Sequence, residues 1–143
     1  MKKFPFIFLC ILSIACSNKD ESGNKEAFKD ALMDEVMQLH DEAMIPWGEI
    51  HALNKQLETK IKELDSLQVA VGTTQKYQQT AQSLEEADAA MMGWMRQFNT
   101  HDLQDMAADS AIMILQQEKA SIEQVYNQVY VSVDSAKALL QQE

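Results

Sequence analysis

Glycine, proline and cysteine are nearly missing from this chain, which holds four, two and two of them. With so few chain breakers, and with Ala, Leu, Met, Gln, Glu and Lys plentiful, long stretches have nothing to stop a helix and strands have almost nowhere to form. Two cysteines, Cys10 and Cys16, both near the start, leave the rest of the chain without a disulfide staple, so burial must supply its stability. The same scarcity removes whole classes of chemistry. No thiol nucleophile is available in the folded domain, and there is no HExxH, no GxSxG and no glycine-rich phosphate loop. A di-iron bundle needs a glutamate three residues before a histidine, but those positions ahead of His40, His51 and His101 hold Met37, Gly48 and Phe98. Zinc is disfavoured by three scattered histidines without cysteine partners. Basic residues are also few, 12 against 22 acidic, which argues against nucleic acid as a partner. The acidic pairs Asp34/Glu35, Asp41/Glu42 and Glu85/Glu86 point in different directions on a helix and read as solvated faces. The expectation is therefore a protein that is not an enzyme and carries no cofactor.

What is present begins with a leader. Lys2 and Lys3 precede an apolar run from Phe4 to Ala15, which is too short to span a bilayer stably. Leu12, Ser13, Ile14, Ala15 and Cys16 resemble the cleavage site of a bacterial lipoprotein signal, although Ser13 stands where a branched aliphatic residue is usual. The resemblance implies cleavage before Cys16, acylation of that cysteine and a membrane anchor through lipid. The rival, an ordinary secretory signal, would leave one unpaired thiol in a secreted protein. Loss of Lys2 and Lys3 leaves a net charge near −12, so the acyl chains rather than charge would make the membrane contact. Ser17 to Glu21 also resemble the Lys/Asp/Glu-rich stretch that directs some Bacteroidetes lipoproteins to the outer surface. The expected location is the bacterial cell envelope, at the outer membrane, facing the periplasm or the surface.

Three regions follow: a signal over 1–15, a lipidated end and flexible tether over 16–25, and one helical domain over 26–143. Val36, Ala43, Ile50, Leu57, Leu64 and Val71 recur every seven residues beside Leu39, Leu53 and Leu67, and predict a long first helix over about 26–70. Pro46 lacks a backbone donor and clashes with the carbonyl of Glu42, which predicts a kink or split. Gly72, with Thr73 and Thr74, predicts the end of that helix and the cap of the next. Tyr77, Leu84, Met91 and Phe98 form a second seam, ending near Phe98 before Asn99 to Asp102 supply cap residues. A third row runs through Met106, Met113, Ile122, Val125, Val129, Ala136 and Leu140. The fold class is all-α: an elongated antiparallel three-helix bundle of coiled-coil character, the first helix kinked at Pro46. Long surfaces of this kind suit contact with a protein partner, and a homo-oligomer is one such arrangement.

One stripe suggests chemistry. Met33, Met37, His40, Met44, Trp47 and His51 step by three or four along one flank of the first helix. If the first hairpin turns near 71–73, Trp47 and His51 lie level with Met91, Met92, Trp94 and Met95, and His40 lies near His101. Thioether and imidazole ligands suit copper(I). Two candidate sets arise: Met37, His40 and Met44 with His101, or Met44 and His51 with Met91 or Met95. Against both stands the common use of methionine to fill irregular gaps in helical cores.

His40 to Leu53, HDEAMIPWGEIHAL, and Ala87 to Phe98, ADAAMMGWMRQF, resemble small helical lipoproteins of Bacteroidetes that often carry the automatic label "viral A-type inclusion protein". The residues that carry it are His40, Asp41, Glu42, Met44, Pro46, Gly48, Glu49 and Ile50 in one segment and Met91, Met92, Trp94 and Met95 in the other. The resemblance implies an envelope location and a helical architecture, and no known activity.

Overall fold

The computed structural model describes residues 18–68 and 71–142, with side chains from 22 onward. Among the described residues the regular structure is helical: α1 (Asn18–Trp47), α2 (Ile50–Ser66), α3 (Val71–Gln97), α4 (Thr100–Gln104) and α5 (Ala108–Leu140). The leader and Cys16 lie outside them.

The first long helix is split as its proline predicts. Pro46 is buried near the end of α1, and two turn residues, Gly48 and Glu49, separate it from α2. The backbone tightens there: Gly48 N–H donates to Met44 C=O at 3.1 Å, and Glu49 N–H to Pro46 C=O at 3.0 Å. The apolar seam nevertheless keeps its phase, because Ala43 and Ile50, seven residues apart across the break, are both fully buried.

Four sequence expectations need correction. The stretch read as a tether is helical from Asn18, although its Ser, Asn, Asp and Gly residues are weak helix formers. The first seam ends at Leu64: Leu67 and Val71 are 73% and 82% exposed, because α2 stops at Ser66 and the chain turns away. That turn uses Gln68, at φ 52°, rather than Gly72, which lies inside α3, as does the buried Thr74. Met106 and Met113 do not belong to the third seam, and Met113 is 64% exposed. Counting back in sevens from Ile122 leads to Leu115, and the buried row is Leu115, Ile122, Val129 and Ala136.

Successive arms run antiparallel, which leaves α1 and α5 parallel. Three charged ties mark that alignment: Lys25 to Asp109 at 3.0 Å, Lys119 to Glu35 at 2.7 Å and Lys137 to Glu49 at 2.8 Å. The first two join residues 84 apart, a multiple of seven, so both helices present equivalent rows to each other. α5 packs on α1, α2 and α3, and α2 pairs with α3 as a hairpin. The fully buried Ile50, Leu57, Leu84, Met91, Ile122 and Val129 form the axis of the core. At the hairpin's far end, Asn99 caps α4, its side-chain oxygen accepting from His101 N–H at 3.1 Å, as its residue type predicts.

Core and rim positions should separate cleanly in urea denaturation. Leu84→Ala should lower stability by about 2–5 kcal/mol, and Leu67→Ala should change it by less than about 0.5 kcal/mol. The Glu35 carboxylate, by hydrogen bond and charge, holds the Lys119 ammonium above its ordinary value of 10.5. The stabilisation from this tie is present below that pH and is lost as the pH rises through the raised value. A Glu35→Gln chain should therefore be less stable than the parent near neutrality, with the gap closing in strong alkali.

Candidate functional site

Two clusters stand out where α1 and α2 meet α3. The first is aromatic. Trp94, on the buried face of α3, stacks on Phe98 one turn later, ring centroids 4.7 Å apart at 19°. From α1, His40 stacks on the same indole at 5.6 Å and 29°, while its Nδ1 meets Asp41 Oδ1 at 2.9 Å. Trp47 meets His51 edge-on at 6.5 Å. Both indole N–H groups, of Trp47 and Trp94, are buried without a protein acceptor.

The second cluster is a polar cleft of about 320 Å³ between α2 and α3. His51, Asn54, Lys55 and Glu58 line it from α2, and Glu85 and Asp88 from α3. Asn54 Oδ1 and Asp88 Oδ1 are buried there without a protein donor. A buried acceptor left unmatched costs about 1–3 kcal/mol, and a polar cleft of this size has room for the waters that would meet it. The pairing of Asn54 and Glu58 with Asp88 and Glu85 agrees with the hairpin count made from the sequence.

The seven residues of the copper reading are dispersed among different environments. Met91 is fully buried in the core, and Met44 and Met95 are half-buried against it. Met37 lines an outer trough with Asp34, Gln38, Asp41, Glu42 and Ile45. His40 is occupied by Trp94 and Asp41, whereas His51 faces Trp47 and the polar cleft. The hairpin count set His40 near His101, across the loop after Phe98. The chain leaves α3 at Gln97, close to the expected end, and His101 stands exposed on α4, 3.9 Å from Asp105. Among the described residues, no three His, Cys, Asp or Glu side chains gather as a metal ion requires.

Sequence reasoning missed the His40–Trp94–Phe98 stack and the cleft. A usable signal existed for each: Trp94 and Phe98 are four apart on one face, and Asn54 and Asp88 each adjoin a seam residue, Leu53 and Ala87. Comparison with known protein families, with curated proteins and with solved structures finds no match.

Methionine as core filler makes a direct prediction. Met91→Leu should cost less than about 1.5 kcal/mol in urea denaturation. Titration with copper(I) should show no chelator-resistant binding that His40→Ala, His51→Ala or Met91→Leu weakens; tight stoichiometric binding lost in these variants would sink the core-filler reading.

Proposed function

We propose that this chain is a lipid-anchored protein of the bacterial cell envelope, held at Cys16, whose helical bundle acts through protein contacts without chemistry of its own. The observation that carries the reading is the leader: a basic start, a dozen apolar residues and Ala15 before Cys16. Three further features support it. Among the described residues, no helix is long and apolar enough to cross a membrane. The likeness of His40–Leu53 and Ala87–Phe98 to helical Bacteroidetes lipoproteins points to the same location. The bundle offers long helical faces and one modest polar cleft, a form suited to lateral contact.

The role assigned to Cys16 is tested by expressing the full chain in a bacterial host and fractionating the cells. The chain should be recovered with membranes, its N-terminal peptide starting at Cys16 and carrying acyl mass. Cys16→Ser should abolish the modification and move the chain out of the membrane fraction. An unmodified Cys16 would overturn the proposal.

A further inference from the structure

The polar cleft between α2 and α3 is short of donors. Asn54 and Glu58 stand one turn apart on its α2 wall, and Asp88 and Glu85 one turn apart on its α3 wall. The antiparallel count sets these four in two rungs, Asn54 level with Asp88 and Glu58 level with Glu85, about 5–6 Å apart along the hairpin. At the first rung, Asn54 and Asp88 are half-buried, and the Oδ1 atom of each is closed off from solvent without a donor. At the second rung, Glu58 and Glu85 are exposed. Among the described residues, neither they nor Asp88 enter an ion pair, although Lys55 lines the same cleft. Three carboxylates against one ammonium leave the lining net negative.

Every unmatched group there is an acceptor, so a guest must bring positive charge and N–H donors. A bare metal ion does not meet the need, because among the described residues no three His, Cys, Asp or Glu side chains converge on one point. An ammonium offers its three donors from a single atom. A guanidinium spreads five over a plane, carries no acceptor, and can serve both rungs at once. We infer that the cleft is a binding site for a guanidinium group, with the Asp88 carboxylate taking the charge, Asn54 Oδ1 accepting beside it, and Glu58 and Glu85 accepting at the outer rung. Charge-assisted bonds of this kind are about twice as strong as neutral ones, and the closed inner rung shields them from water. The guest also stands between two like charges that the hairpin places on opposite walls. A volume of about 320 Å³ admits the head group and the start of its alkyl stem, which an arginine side chain of a partner protein and a free alkylguanidine both provide. The site goes beyond the protein-contact reading and does not depend on the anchor at Cys16.

The full chain in mild detergent, titrated with ethylguanidinium chloride at constant ionic strength and followed by NMR, should show a saturable shift of the Asn54 side-chain amide and of the backbone amides around Asp88. Ethylammonium should need about tenfold more to reach the same shift, and tetramethylammonium, which has no N–H, should give none. Asp88→Asn and Glu85→Gln, which keep the side-chain shape, should each weaken ethylguanidinium binding about tenfold. In urea both variants should be no less stable than the parent, because neither carboxylate has a partner to lose. Lys55→Ala should tighten binding, since it removes a competing cation from the wall. A capped glycine-arginine-glycine peptide separates the two sources: binding at least as tight as that of ethylguanidinium assigns the guest to a partner's arginine, and exclusion of the peptide assigns it to a free guanidine compound. Absence of a saturable shift, an equal response to tetramethylammonium, or an affinity unchanged in both carboxylate variants would overturn the assignment and leave the cleft to water.

Discussion

The bundle depends on the burial of one side of α5. Leu115, Ile122, Val129 and Ala136 are fully buried, and α1, α2 and α3 all pack against the helix that carries them. At roughly 25 cal/mol for each square ångström of apolar surface removed from water, such a seam is the main source of cohesion in a chain without disulfides. The other arms have looser claims on one another. α2 and α3 form a local hairpin, whereas α1 packs chiefly on α5 and meets α3 through the stack of His40 on Trp94.

The seven-residue repeat explains why this architecture survives a break in its first arm. A proline and a two-residue turn would ordinarily rotate everything that follows. Here the distance from Ala43 to Ile50 remains one heptad, so α2 presents its apolar side where α1 left off. Pro46 itself is buried in the seam, so its ring contributes apolar surface where its nitrogen withholds a donor.

Much of this was legible in the residues. The helical class, the split at Pro46, the seams through Leu57, Leu84 and Val129 and the cap at Asn99 follow from periodicity and local propensity, which are encoded within a few turns. The failures have two causes. Leu67 and Val71 fit a seven-residue count and yet lie outside the core, because periodicity states which face a residue occupies but not whether a neighbour covers that face, whereas Met106 and Met113 are out of phase with Ile122, whose own count reaches Leu115. One pair of the copper reading was hard to place for a related reason. Placing His40 beside His101 needed the path of the chain after Gln97, and α4 redirects it. The aromatic stack joins helices more than fifty residues apart in sequence, beyond the reach of any local pattern.

The separate standing of α1 has a mechanical consequence. A load applied at the N-terminal end of α1 meets ties spread along that helix, the buried Leu32, Val36 and Ala43 together with the ion pairs of Lys25 and Glu35, and then a two-residue joint at Gly48 and Glu49. Tension along the bundle axis strains those ties together, in shear. Tension across the axis strains them one at a time, from Lys25 onward, as a zipper opens. Such a row of contacts meets an axial pull together and a sideways one in turn.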